Sequence, residues 1–103
     1  MRAVIEGKRY DTETATEVAS IENGHNLSDF SYFTEELYIT KRGNWFLAGW
    51  GNATSPYGTV SGNTRGSGER VTVLSPAEAQ EWLEEHGKVD ALEMYFGELI
   101  EDA

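Results

Sequence analysis

The sequence predicts an α+β fold, in which an antiparallel sheet of four to five strands carries two C-terminal helices packed on one face. Two patterns of apolar spacing support this prediction. Between residues 33 and 40, apolar and polar side chains alternate, which is the period of a half-buried strand. After residue 75 the spacing becomes three and four residues, as in an amphipathic helix. The chain has 103 residues, 39% of them apolar, so we expect a single domain spanning 1–103.

The sheet is expected within residues 2–74. Its clearest part is a hairpin, because the turn Lys41–Asn44 lies between two apolar runs and contains Gly43, which suits a left-handed position. The run after this turn has apolar side chains on both faces, so we expect its strand to be central. The strands are predicted at residues 2–6, 13–21, 33–40, 45–50 and 70–74.

A glycine-rich loop is predicted at residues 51–68, before the last strand. Loops of that length in compact domains are usually functional or disordered, and we expect this one to be flexible. Its segment Gly62–Gly68 matches neither the P-loop nor the dinucleotide-binding fingerprint. We therefore interpret it as a connection rather than as a phosphate-binding loop.

Two helices are predicted to form an acidic pair at residues 75–102. Ser75 and Glu78 have the spacing of a capping box, and Pro76 suits the first helical position. Gly87 is expected to end the first helix, and Asp90 to start the second by the same capping logic. The apolar positions at helical spacing are Ala79, Trp82 and Leu83 in the first helix, and Leu92, Tyr95, Phe96, Leu99 and Ile100 in the second.

Negative charge is concentrated in the last quarter of the chain. The chain has 18 acidic residues against 8 lysines and arginines, for a formal net charge of −10. Apart from Lys88, the charged groups after residue 77 are nine acids: Glu78, Glu81, Glu84, Glu85, Asp90, Glu93, Glu98, Glu101 and Asp102. Such an end has a long-range field that repels nucleic acid and attracts basic protein surfaces. The other cations could form a basic patch at the end of the sheet, which their sequence positions do not decide: Arg2, Lys8, Arg9, Lys41, Arg42, Arg65 and Arg70.

No arrangement of residues predicts catalysis, a metal site or a cofactor. The chain has no cysteine and therefore no disulfide or thiolate site. His25 has Ser28 and Asp29 beside it in one turn, but a catalytic triad needs fixed geometry from separate elements. His86 is explained by its place near the negative end of a helix, and no His-x-x-x-His spacing occurs. We expect a protein that is not an enzyme; a small hydrolase using His25 is the less favoured option.

Aromatic side chains crowd residues 30–57, and most are expected in the core, because a base-stacking surface needs a cationic surround. Trp50 and Tyr57 are instead expected at a protein interface, where tryptophan and tyrosine are enriched. The sequence contains no apolar signal segment near Met1 and no apolar run long enough to span a bilayer. We expect a cytoplasmic protein that makes no membrane contact.

Three segments resemble small proteins encoded by bacterial phages, plasmids and other mobile elements, some of which look like anti-CRISPR proteins. These segments are Lys8–Ala15 (KRYDTETA), Leu37–Leu47 (LYITKRGNWFL) and Leu74–Leu83 (LSPAEAQEWL), and the resemblance covers most of the chain. Proteins of this kind typically bind a host defence complex stoichiometrically. The resemblance carries no catalytic motif, and it implies an inhibitor that acts by binding inside the host bacterial cell.

Charge and resemblance together lead to one hypothesis: an anti-CRISPR protein whose acidic helices occupy a cationic groove on a CRISPR effector and keep nucleic acid out. The predicted contacts are Glu78, Glu81, Glu84, Glu85, Asp90, Glu93 and Glu98, with Trp50 and Tyr57 as apolar anchors. The alternative is a regulatory or accessory mobile-element protein, such as an antitoxin-like or transcription-complex partner, that binds a basic protein. A third interpretation is that the negative charge only keeps a small domain soluble. Direct binding of duplex DNA is not expected, because like charges repel.

Overall fold

The structure is a computed structural model, and it describes all 103 residues. Its strands are β1 (Arg2–Ile5), β2 (Lys8–Asp11), β3 (Thr16–Glu22), β4 (Phe33–Ile39), β5 (Trp45–Gly51), β6 (Thr59–Ser61), β7 (Thr64–Gly66) and β8 (Gly68–Leu74). Its helices are α1 (Pro76–Glu85) and α2 (Val89–Phe96), and a single 3₁₀ turn follows at Gly97–Leu99.

The main sheet has four antiparallel strands in the order β3-β4-β5-β8. The predicted hairpin is β4–β5, with Leu37 opposite Leu47 and Gly43 at a φ of 85° in the turn. Strand β5 pairs with β4 on one side and β8 on the other, as its apolar residues on both faces predict. The predicted α+β fold is confirmed.

Each face of the sheet has its own apolar layer, because successive side chains of a strand point to opposite faces. On one face, Leu37, Trp45 and Leu47 pack against both helices, and the Trp45 ring stacks on Phe96 with centroids 5.3 Å apart. The helical members of this cluster are Ala79, Trp82, Leu83, Leu92 and Phe96.

On the other face, Tyr38, Phe46 and Ala48 are covered by Tyr10 from β2. Tyr38 stacks on Phe46 at 5.2 Å, and Tyr10 meets the same ring edge-on at 5.5 Å. Contacts among these three aromatic rings thus hold the small β1–β2 hairpin against the face opposite the helices.

The prediction of two N-terminal strands, at residues 2–6 and 13–21, is wrong in the number and bounds of the strands. The structure has three strands there, because Glu6 and Gly7 form a two-residue turn with φ values of 50° and 77°. Two consecutive positive φ angles are typical of a tight β-hairpin turn, and this turn lets β2 pair directly with β1.

The glycine-rich segment 51–68, predicted as a flexible loop, contains regular structure. It includes the β6–β7 hairpin with Gly62 at a φ of 62°, and β8 already starts at Gly68 opposite Gly51 of β5. Glycine is required at Gly58, where a side chain would collide with the backbone of Ala53.

The capping box of α1 is confirmed by both of its hydrogen bonds. The Glu78 backbone N–H donates to Ser75 Oγ at 3.1 Å, and the Ser75 N–H donates to Glu78 Oε1 at 2.8 Å. Gly87 follows the helix with a φ of 64°, as predicted for a C-terminal stop.

The predicted start of α2 at Asp90 is wrong. The helix begins at Val89, its N-cap is Lys88 without a side-chain hydrogen bond, and the Leu92 N–H donates to the Lys88 carbonyl at 3.0 Å. The short connection after α1 sets this start, because the Lys88 N–H is already bonded to the Leu83 carbonyl at 2.9 Å. The helix then ends at Phe96, which leaves Leu99 exposed rather than in the predicted apolar stripe. Neither helix has the length and apolar character that crossing a membrane requires.

Candidate protein-binding surface

The acids of α1 lie on the solvent side of the helix. Ala79, Trp82 and Leu83 are buried against the sheet, since they share the face that the three- and four-residue spacing creates. The intervening acids Glu78, Glu81, Glu84 and Glu85 are all exposed. The burial of one helical face therefore places these four carboxylates in solvent.

The second helix continues the same charge. Leu92 and Phe96 are buried in the cluster that also contains the buried residues of α1, while Asp90, Glu93 and Glu98 are exposed. We define the acidic helical surface as seven exposed acids of the two helices and of the 3₁₀ turn that follows them: Glu78, Glu81, Glu84, Glu85, Asp90, Glu93 and Glu98. The structure thus brings together all the carboxylates that the sequence predicts as partner contacts.

The carboxylates of this surface have no cationic partners within the chain. The only histidine, lysine or arginine side chain close enough to a carboxylate for an ion pair is His25, whose Nδ1 lies 3.5 Å from Asp29 Oδ2, and both of those side chains are about half exposed. Lys88, the one lysine between the helices, forms no ion pair. The surface is therefore an array of charges available to an external cation.

Glu78 differs from the other members because it also caps α1. Its carboxylate accepts the Ser75 N–H, and this hydrogen bond, together with the one to the Ser75 side chain, lowers the pKa of Glu78 below its ordinary value of 4.5. Glu78 thus stays ionised to lower pH, but any substitution there alters the helix as well as the charge.

Tyr57 does not fit the predicted role of an apolar anchor, because its side chain is only 5% exposed. Its ring covers Gly49 of β5, where even a methyl group would collide with it. The ring also packs near Phe33, at 6.1 Å between centroids, and the Arg70 guanidinium lies 4.8 Å from its centre. The packing of Tyr57 therefore holds the loop after β5 against the face of the sheet that the helices cover.

Glu35 is the polar centre of this packing and is a residue that sequence reasoning missed. One carboxylate oxygen accepts the Tyr57 hydroxyl, and the other accepts the Trp82 indole N–H at 3.1 Å. Burial, followed by this contact with Glu35, raises the pKa of Tyr57. The available signal was the period of two, which puts Glu35 on the same face as Leu37 and hence under α1.

Trp50 lies away from the acidic helical surface. It follows Phe46 and Ala48 on the sheet face opposite the helices, where it is half-buried and meets Tyr32 edge-on at 6.1 Å. A partner bound flat on the helices would not reach this side chain. The predicted contact set therefore divides between two sides of the molecule.

Two apolar side chains at the far end of the sheet are more exposed than Trp50. Phe30 is 72% exposed and Leu27 is 68% exposed, although the sequence predicts most aromatics in this region to be core. Their loop is held by Asn52, whose side-chain amide donates to the Leu27 and Asp29 carbonyls at 2.7 Å each. This loop thus exposes two apolar side chains and is held in place by hydrogen bonds.

The histidines and acids form no cluster of three potential metal ligands. His25 contacts Asp29 in an exposed turn, and His86 packs edge-on against Trp82 with centroids 4.7 Å apart. Comparisons of the chain with protein-family models, with curated proteins and with solved structures found no match.

Proposed function

We propose that this chain is a non-enzymatic inhibitor encoded by a mobile element, of the anti-CRISPR type, and that it acts in the cytoplasm of the host bacterium. In this proposal the acidic helical surface binds a CRISPR effector and mimics the charge of nucleic acid. One observation carries the proposal: seven exposed carboxylates lie on two adjacent helices and the 3₁₀ turn that follows them, and none is paired with a lysine or arginine.

The chemistry of an effector groove complements this surface. A groove that holds a guide–target duplex is lined with lysine and arginine side chains that face phosphates. Carboxylates spaced along helices can meet the same side chains, and the opposite net charges would steer the encounter. Because that steering is screened by salt, association should slow as ionic strength rises.

Apolar contacts would come from the helices rather than from the anchors that the sequence predicts. Tyr57 is buried and Trp50 lies on the other side of the sheet. Helix α2 instead exposes Val89 and Met94, which are 58% and 76% accessible. These two side chains are positioned to add apolar area beside Asp90 and Glu93, as in interfaces that surround apolar contacts with charge.

A charge-reversal experiment tests the proposal. The test variant carries Glu81→Lys, Glu84→Lys and Glu93→Lys, all exposed and all outside the capping box. The control carries Glu6→Lys, Glu13→Lys and Glu69→Lys, which are exposed acids outside the helices and change the net charge equally. Circular dichroism verifies that both variants are folded.

Tagged protein is used to capture representative CRISPR effector complexes, with and without loaded target DNA, at two salt concentrations. We expect wild type and control to capture an effector in a manner that DNA and salt reduce, and the test variant to lose capture. Capture that the test variant retains would refute the charge-mimic proposal. Capture that DNA does not compete would replace groove occupation with an allosteric or assembly block. No capture of any effector would favour the regulatory or accessory alternative, with basic host proteins as the next candidates.

A further inference from the structure

A cleft of about 660 Å³ lies between the β1–β2 turn and the β4–β5 turn, away from the acidic helical surface. Its lining includes Lys8 and Arg9 from the start of β2, and Lys41 and Arg42 from the β4–β5 turn. These are half of the 8 lysines and arginines in the chain. A protein with a net charge of −10 thus gathers half of its cations in one place.

Specific packing creates this arrangement. Tyr10 docks the β1–β2 hairpin on Phe46, which carries the start of β2 towards the β4–β5 turn. That second turn is held closed by three hydrogen bonds: Thr40 N–H to the Asn44 carbonyl at 2.8 Å, Asn44 N–H to Thr40 Oγ1 at 3.0 Å, and Gly43 N–H to the Thr40 carbonyl at 2.9 Å. One pair of cations is therefore presented by a paired strand, β2, and the other by a hydrogen-bonded turn.

The four cations have no counter-ion within the chain. None of them forms an ion pair, although the sequence contains 18 acidic residues. The only acid in the cleft lining is Asp11, which is 9% exposed and whose Oδ1 already accepts the Glu13 N–H at 2.9 Å. Mutual repulsion among the four cations would be relieved by an external anion.

We propose that this cleft binds the phosphate groups of a small oligophosphate. The four cations and the Asp11 carboxylate give the lining a formal charge of +3. A phosphate monoester carries about −1.5 to −2 charges at neutral pH, so more than one phosphate group is needed to match it. The two arginines can each donate paired hydrogen bonds to phosphate oxygens, and the lysines supply compact point charges.

The lining also argues against other anionic ligands. Ala15 is its only apolar residue and it contains no aromatic side chain, so nothing in it would stack a base or cover a lipid tail. A long nucleic acid would extend beyond the cleft into the field of a chain with a net charge of −10. A short ligand avoids that repulsion, because charges beyond about 10 Å are screened.

Isothermal titration calorimetry with inorganic triphosphate, in magnesium-free buffer of about 0.1 M ionic strength, tests the proposal. The test variant is Lys41→Gln with Arg42→Gln, and the control is Arg65→Gln with Lys88→Gln, which removes the same charge elsewhere. We expect saturable binding by wild type, a loss of affinity of about tenfold or more in the test variant, and a change within about twofold in the control.

Three results would overturn the proposal. One is no binding of triphosphate at millimolar concentration. Another is an equal loss in the control, which would show that binding reflects overall charge. The last is tighter binding of a short single-stranded oligonucleotide that also depends on Lys41 and Arg42, which would assign the cleft to nucleic acid. None of these measurements involves an effector, so they are independent of the inhibitor proposal.

Discussion

Replacing Gly49 by alanine tests how Tyr57 fastens the loop after β5 to the sheet. A Cβ atom added at Gly49 would overlap Cζ, Cε1 and the hydroxyl oxygen of Tyr57, and the ring has little freedom to move. It is 5% exposed, its hydroxyl donates to Glu35, and its face lies beside Phe33 and Arg70. The substitution must therefore displace the ring from its site.

The size of the effect follows from what the ring loses. Overpacking a core typically costs about 1–3 kcal/mol, and losing a buried aromatic side chain altogether costs about 3–5 kcal/mol. Alanine is favoured over glycine within a strand by about 0.5–1 kcal/mol, which offsets part of the cost. We expect Gly49→Ala to lower the free energy of unfolding by about 2–3 kcal/mol.

A double-mutant cycle separates the collision from other effects of the substitution. Once Tyr57→Ala has removed the ring, Gly49→Ala should be neutral or should stabilise by about 0.5–1 kcal/mol. Gly97→Ala serves as the control, because Gly97 has a helical φ of −55° and no atom near the position of a Cβ. Urea unfolding followed by circular dichroism gives all the free energies. Equal costs of Gly49→Ala with and without Tyr57 would refute the packing argument.

The other two predictions concern the cap of α1 and an acidic pair on the sheet. Ser75→Ala should lower the free energy of unfolding by about 1 kcal/mol, because the Glu78 N–H loses its acceptor. NMR titration should also show that the pKa of Glu78 is higher than in the wild type, because the hydrogen bond from the Ser75 side chain is lost. An unchanged midpoint of urea unfolding would contradict the prediction. Burial, and next the nearby Glu36 carboxylate, raise the pKa of Glu17 above 4.5 in the folded state. The folded chain therefore binds the Glu17 proton more readily, and the stability that this contributes is present below pH 4.5 and lost as pH rises through the folded pKa. Glu17→Gln should consequently stabilise the protein at pH 7 and do so less at pH 4. The gain should be only about 0.2–0.5 kcal/mol, because Glu17 is exposed and lies diagonally to Glu36, so that solvent screens the repulsion. Urea unfolding at both pH values measures this, with Glu13→Gln as the exposed control, and identical behaviour of the two variants would contradict it.

Local patterns predicted the parts of the fold whose contacts are close in sequence. The β4–β5 hairpin follows from the alternation around Lys41–Asn44, and α1 follows from Ser75 and Glu78, because hairpin pairing and helix capping involve neighbours along the chain. The start of α2 was not predicted, since the preceding connection sets it rather than the side chain of Asp90.

The candidate site likewise has features that local patterns predict and features that they do not. Exposure of the helix acids could be predicted, because helical spacing alone puts them opposite the apolar stripe. The burial of Tyr57 could not be predicted, because it depends on Gly49 and Glu35, residues of two different strands. The side of the sheet on which Trp50 lies also escaped prediction, since a period of two shows which side chains share a face but not which face the helices cover.

By itself the sequence determined the α+β class, the central strand β5 and the concentration of exposed negative charge on the last two helices. Only the tertiary structure decided that Lys8 and Arg9 meet Lys41 and Arg42 around one cleft. More than thirty residues separate these pairs, and they converge because the Tyr10 ring packs on Phe46. Packing of this kind depends on the shapes of side chains brought together from distant segments, and no local pattern of spacing or charge encodes it.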